Sequence, residues 1–317
     1  MKVYTLPSRI GARTSLRRLP VVVGVDEYQV CWGKGISPQG RLNSCKGELL
    51  ERAARRGIAP DVVASATELG ELVVDPRRLG VDIANDWTRG NTQEYDPRIR
   101  TGWVKTTSER HGEGFVHWPS YGLPAFYQLN SNGAATHATA EAAKRTAVRE
   151  LVERDAYLRW WYGFIDAEPV QPCGEHWDEI ASWLAGFGWE LDGYLLPGRH
   201  GVPVALCVGR RTTYGGVADA VVVGTSCRPT HGRCTTCESV QDAALEIVQF
   251  IESLELGSTM ENFTLGGYAR YFSPEGVADV VDRLPGNWAG AHHCDPDAGE
   301  SHMRVTDTLG AECHVLA

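Results

Sequence analysis

RELVERDA, residues 149–156, decides how this chain is read, because GELLERAA at 47–54 carries the same Glu-x-x-Glu-Arg pattern 102 positions earlier. Spacing i, i+3 sets two side chains on one helix face, about a turn apart. Glu48 and Glu51 therefore share a face, as do Glu150 and Glu153, and Glu246 and Gln249 repeat the arrangement further along. Like charges so spaced disfavour an isolated helix by roughly 0.2–0.5 kcal/mol. Either each pair is a surface pair that water tolerates, or the pairs face a common cation. Hard carboxylate oxygens suit Mg2+, which keeps waters and bridges substrate phosphates such as those of ATP. Arg52 and Arg154, next to the second glutamates, offer planar forks to phosphate oxygens.

The patterning around these pairs predicts helices where the pairs need them. Ser37-Pro38 opens a helix to about Arg56, with Gly57 as its stop. A second starts after Thr139 as N-cap, with Glu141 in its first turn and an apolar stripe of Ala140, Ala143, Ala147 and Leu151. A third covers about 239–255 through Ala243, Ala244, Ile247, Val248 and Ile251, and a shorter one falls near 177–187. Residues 20–32 read as one or two strands, 33–35 (GKG) as a turn, 124–130 as a strand, 131–133 (SNG) as a turn, and 189–226 as several strands. Residues 61–70 read as a short helix, 71–83 as strand and turn, and 86–118 as a long loop or strand-loop excursion. The last part, 256–317, is weakly patterned, with 289–303 expected to be mobile. No linker divides the chain, so the class is α+β, or mixed α/β, in a single domain.

Charge narrows the partners. The chain has 317 residues and a formal charge of −9, which argues against nucleic acid and against anionic membranes. Residues 1–56 nevertheless carry a local +7, suited to an anionic small ligand or acidic peptide, or else a solvated basic face. No apolar run is long enough for a transmembrane helix and 19–25 is too short for a signal-peptide core, so a cytoplasmic protein is expected. The nine cysteines then read as reduced thiols. Cys234 and Cys237 have the spacing of half a zinc site, which Cys227, His231, His292, His293 and Cys294 would have to complete. Trp160-Trp161 is either core or a peptide platform, and His111 is either a general base on the long loop or one exposed histidine among ten.

Three segments resemble the YcaO family in the family's order. SNGAATHATAEAAKRTAVRELVERDAYLRWW (131–161) is similar to its Ser-Asn-Gly turn and Glu-x-x-Glu-Arg-Asp helix. GKGISPQGRLNSCKGELLER (33–52) resembles its first segment, and CESVQDAALEIVQ (237–249) its third. The resemblance implies a YcaO-like fold, sheets with helices packed around a nucleotide site, and ATP and Mg2+ as cofactors. Carried over by position, Ser44, Glu48, Glu51, Glu150, Glu153, Arg154, Glu246 and Gln249 line the nucleotide site, and Glu48, Glu51, Glu150, Glu153 and Glu246 hold the metal. The reaction implied is attack of a Cys, Ser or Thr side chain of a precursor peptide on the preceding amide carbon. ATP then phosphorylates the amide oxygen, and phosphate leaves as the azoline closes. Implied partners are the precursor peptide, a ThiF-like or TfuA-like leader-binding protein, and a flavin dehydrogenase that oxidises azolines.

The sequence departs from the family pattern twice. Ala138 stands where members often have Asn, and Ala142 where they often have a second Glu. Azoline-forming members also finish in a proline-rich tail, whereas this sequence reads GAECHVLA at its end and has its last proline at Pro296. The expectation is therefore one domain, 1–317, without that tail. Thioamide or amidine formation, and a non-catalytic scaffold subunit, stay open beside cyclodehydration.

Overall fold

The computed structural model describes residues 2–6, 21–25, 30–56, 58–79, 93–108, 112–127, 132–172, 176–212, 218–227 and 235–255, with 278, 284, 292–293 and 314–316. β1 (Lys2–Leu6), β2 (Val21–Val25) and β3 (Val30–Trp32) form a three-stranded antiparallel sheet in that order. α1 (Pro38–Arg56) follows, with proline at its start and Ser37 Oγ accepting the Gly40 N–H at 3.0 Å. It lies on the sheet through Cys45 and Leu49, which pack with Val22 and Cys31. Gly24 permits that approach, since a Cβ there would sit 2.2 Å from Leu49 Cδ1.

β4 (Val62–Ala64) and β6 (Gly112–His117) flank β5 (Thr101–Ser108), and β12 (His314–Leu316) extends the same sheet. Two expectations change here. The predicted helix at 61–70 begins as β4, because Val62 and Val63 pair with Trp103 and Gly102. Helix α2 is only Ala66–Leu69, closed by a Ser65–Glu68 capping box. Of the two readings of 86–118, the strand-loop excursion is the one the β5–β6 hairpin fits, its Thr-rich alternation being strand chemistry. Conversely, 121–127 are turns and bends with Phe126 and Tyr127 buried, where a strand was expected; 128–130 lie outside the described residues.

The largest sheet runs β10-β9-β8-β7-β11, from β7 (Glu168–Gln171), β8 (Trp189–Pro197), β9 (Pro203–Thr212), β10 (Ala218–Ser226) and β11 (His292–His293). It is antiparallel except at β7–β11. Side chains alternate across it. Tyr194, Leu206, Val208 and Val221 face α3 (Ala140–Trp161), while Ala205, Cys207, Ala220 and Val222 face α4 (Trp177–Ala185) and α5 (Thr235–Glu255). The face that α3 buries carries Ala147, Val148, Val152, Ala156, Trp160 and Trp161, so of the predicted stripe Ala147 is buried while Ala140, Ala143 and Leu151 are not; Leu151 is 40% exposed. Alanine spacing alone could not choose between neighbouring faces; the sheet chose the one carrying the larger side chains. Trp160 and Trp161 are both core.

β11 falls within the segment expected to be mobile, as a short parallel edge on β7. No helix among the described residues is long and apolar enough to cross a membrane.

Candidate functional site

The hydrophobic clusters leave a polar region where α1, α3, α5 and the end of β10 meet. Glu153 reaches across to β10, accepting Thr225 Oγ1–H at 2.7 Å and the Cys227 backbone N–H at 3.1 Å. Glu246 accepts the Thr225 backbone N–H at 3.2 Å and pairs with Lys34 Nζ at 2.7 Å. One residue, Thr225, thus holds a carboxylate of α3 and one of α5. A Cβ at Gly224 would lie 2.1 Å from the Ala243 carbonyl oxygen, so β10 meets α5 there only because the side chain is absent.

α1 brings Glu48, which pairs with Arg52 and accepts the Trp32 backbone N–H. Glu51 lies near enough to Glu150 to push its proton affinity up. Glu150 accepts the Gly133 N–H and lies 3.9 Å from Arg154 Nε. The Ser-Asn-Gly turn therefore has a physical task. Gly133 adopts φ +74°, a region that favours glycine, and aims its N–H at α3.

The electrostatics join these groups into one site. Burial, then Glu51 and Glu153, raise Glu150 to about 7 against the attraction of Arg154. Burial and the Glu246 charge raise Glu153, and burial raises Glu48 against the pull of Arg52 and Lys34. Burial also disfavours ionised Glu246, but Lys34, Arg154 and the Thr225 N–H outweigh it and leave Glu246 below the usual carboxylate range. Cys227 beside Glu153 is pushed up to about 12 by burial and that charge, so it is a thiol, not a nucleophile.

Every predicted site residue has a definite place. Glu51, Glu150, Glu153, Glu246 and Glu48 form a chain in which each feels the charge of the next, and Arg154 acts on Glu150, Glu153 and Glu246. Ser44 accepts the Lys34 backbone N–H at 3.3 Å, so its hydroxyl holds the Gly-Lys-Gly turn. Gln249 donates to the Trp32 carbonyl at 2.8 Å, which joins α5 to β3. The predicted set omits Lys34 and Thr225. Lys34 had a signal, a lysine between two glycines ahead of a helix, whereas Thr225 had none, because its role depends on where β10 ends.

The fit of a magnesium–nucleotide can be tested on charge. Among the described residues, five carboxylates (Glu48, Glu51, Glu150, Glu153, Glu246) gather with the cations Lys34, Arg52 and Arg154. Burial first, and neighbouring carboxylates second, hold Glu48, Glu150 and Glu153 above their normal range, a setting in which a bound cation would favour their ionised forms. Among the described residues no three metal-binding side chains stand close enough to grip an ion by themselves. Carboxylate oxygens are nevertheless the donors Mg2+ takes, one or two at a time, with waters and phosphates completing the shell. The residues fit the group. For zinc, Cys237 is buried while Cys234, His231 and Cys294 lie outside the described residues. The described cysteines, Cys31, Cys45, Cys207, Cys227 and Cys237, are not in disulfides. His111 is also outside the described residues.

The structure thus sets carboxylates from three helices around a cationic turn, and comparison with known proteins gives the family. The family model described as YcaO cyclodehydratase, ATP- and Mg2+-binding, matches residues 32–311, and the chain belongs to that family. Among solved structures, a heterocyclase in complex with substrate and cofactor is 18% identical with TM-score 0.74, over 95% of this chain and 43% of that one. The YcaO protein of Methanopyrus kandleri bound with AMPPCP and Mg2+ is 17% identical with TM-score 0.63, over 96% of this chain and 73% of that one. The E. coli microcin synthetase McbBCD complex with pro-MccB17 bound gives 12% identity and TM-score 0.62, over 94% of this chain and 78% of that one. At these identities the likeness is one of fold, and the chain spans less than half the length of the heterocyclase. No curated protein matches by sequence.

Proposed function

We propose that this chain is an ATP- and Mg2+-dependent enzyme that modifies backbone amides of a ribosomally made precursor peptide, with cyclodehydration of Cys, Ser or Thr to azolines as the leading reaction. The observation that carries the proposal is the convergence of glutamates from α1, α3 and α5 on one region with Lys34 and Arg154, in a chain of neighbours from Glu51 through Glu150, Glu153 and Glu246 to Glu48. Glu48, Glu51, Glu150, Glu153 and Glu246 would hold the metal, and Ser44, Arg154 and Gln249 would complete the nucleotide site. When bound, Mg2+ neutralises charge on the transferring phosphoryl group. The residues do the rest by position. Lys34 and Arg154 lie with the carboxylates, where they stabilise negative charge that develops on phosphate oxygens. Thr225 and the Cys227 N–H hold the Glu153 carboxylate in one orientation, and Gly133 does the same for Glu150. An amide oxygen is a poor leaving group and its phosphate ester a good one, so a site that positions ATP against a peptide carbonyl suffices for ring closure.

The whole chain is proposed as one domain, with a precursor peptide and a ThiF-like or TfuA-like leader-binding protein as partners, and a flavin dehydrogenase for any oxidation to azoles. The test is calorimetric titration with a non-hydrolysable ATP analogue, with and without Mg2+. Magnesium-dependent binding that Glu150→Gln removes supports the enzyme. Absence of binding, alone and with the partner, would leave the scaffold reading in its place. Sulfide- or amine-dependent turnover with the peptide would replace the azoline by a thioamide or amidine.

A further inference from the structure

The site is assembled across a boundary between cores. One cluster is built from residues before position 50: Val3, Val22, Cys31, Leu42, Cys45 and Leu49. The clusters under α3, α4 and α5 draw on residues from 152 onward. No hydrophobic cluster among the described residues spans the two. Glu48 and Glu51 belong to one side and Glu150, Glu153 and Glu246 to the other, so whatever fixes one side against the other fixes the site.

What joins them is a polar seam along α5. Residues 246, 249 and 252 follow one another a turn apart. Glu246 takes Lys34, Gln249 donates to the Trp32 carbonyl, and Glu252 receives Arg41. The last contact is the strongest. Arg41 Nη1 lies 2.8 Å from each Glu252 carboxylate oxygen, with the two side chains 2% and 4% exposed. Arg41 Nε also donates to the Gly35 carbonyl at 3.0 Å. A Cβ at Gly33 would lie 2.0 Å from the Arg41 carbonyl oxygen, so the turn that carries Lys34 is pressed onto Arg41 from both ends. One side chain therefore holds α5 and the Lys34 turn together.

Stability does not explain such a pair. Desolvation of two charges roughly cancels their attraction, and well-packed apolar replacements are often neutral or better. A guanidinium whose Nη1 is shared between both carboxylate oxygens while its Nε is tied to the Gly35 carbonyl has a defined position, whereas an apolar seam can slide. We propose that Arg41 and Glu252 are a positioning pair, which sets the distance of the α1 carboxylates and Lys34 from the carboxylates of α3 and α5 and thereby the affinity of the site for a metal–nucleotide. This rests on the reading of the site given above. Neither residue touches the nucleotide; both act through Lys34, Glu48, Glu51 and Glu246.

The double variant Arg41→Met/Glu252→Met removes both buried charges at similar volume. It should keep its circular dichroism spectrum and its unfolding temperature while Mg2+-dependent binding of the ATP analogue weakens about 10- to 100-fold, the range for lost outer-shell support of a metal site. Wild type and Glu150→Gln are titrated beside it. If wild type itself shows no Mg2+-dependent binding, the reading of the site fails and the pair has nothing to position. If wild type binds, Glu150→Gln does not, and the double variant matches wild type, only the positioning pair falls. Amide exchange without any nucleotide is the second readout. Residues of α1 and the Trp32–Gly35 turn should exchange faster in the double variant while α3 and the large sheet keep their protection; unchanged protection of α1 would overturn the proposal. Should the double variant not fold, Glu252→Gln preserves the side-chain shape. It is expected to weaken binding by a smaller factor, and an affinity equal to wild type would count against the pair.

Discussion

Glu150→Gln should stabilise the ligand-free protein while removing its magnesium–nucleotide binding. Glu150 has an ordinary carboxyl pKa of 4.5 and is raised to about 7 in the fold by burial and by Glu51 and Glu153. At about 1.36 kcal/mol per unit, ionised Glu150 costs the folded state on the order of 3 kcal/mol at alkaline pH. The folded protein holds its proton more tightly than the unfolded chain, so stability is full below about pH 4.5 and is lost as pH rises through about 7. Glutamine keeps the volume and can still accept the Gly133 N–H. The 3.9 Å approach of Arg154 is already counted in that figure, because its attraction opposes the rise. The gain at pH 8.5 is then about 3 kcal/mol, several degrees in unfolding temperature for a chain of this size. The assay is thermal unfolding of both proteins at pH 5 and pH 8.5 without ligand. Wild type should lose stability across that interval more steeply than the variant, and added Mg2+ with the ATP analogue should restore wild type alone. A variant less stable than wild type at pH 8.5, or an identical pH profile for the two, would refute the reasoning.

Further outcomes follow from individual contacts. Thr225→Val removes the hydroxyl donated to Glu153 at 2.7 Å and should weaken nucleotide binding about tenfold in a titration, with little change in circular dichroism. Gly133→Ala forces a Cβ into the left-handed region at φ +74° and to 2.9 Å from the Leu151 side chain; about 1–2 kcal/mol of stability should be lost on denaturant unfolding, with weaker Mg2+ dependence because the N–H to Glu150 shifts. His117 is buried among Trp103, Phe126 and Tyr127, and burial lowers it to about 4 despite the nearby Pro124 carbonyl. Its neutral form favours the fold, so stability present above about pH 6.5 is lost as pH falls through 4, by up to about 3 kcal/mol. His117→Phe should flatten that acid limb in a pH series of unfolding temperatures.

The sequence by itself determined the three helices and the glutamates they carry. Periodicity, the Ser37-Pro38 and Thr139 starts and the Glu-x-x-Glu spacing are local properties, and local properties are legible in a chain. The α+β class and the strands of 189–226 followed from the same patterns, whereas the glutamate spacing alone left a surface pair and a cation site both open, and only the resemblance of the three segments to the YcaO family pointed to ATP and Mg2+. Tertiary structure decided which face of α3 is buried, since Val148 and Val152 displaced Ala143 and Leu151 only once a sheet was there to receive them. It also decided that 62–64 is strand and 124–127 is not, because strand identity depends on a partner such as Trp103 from a distant part of the chain. Thr225, the Trp32 contact of Gln249 and the Arg41–Glu252 pair were invisible beforehand for the same reason. Each joins residues far apart in sequence, over 200 positions for Arg41 and Glu252, and a buried charge announces its partner only when folding has removed the water from both.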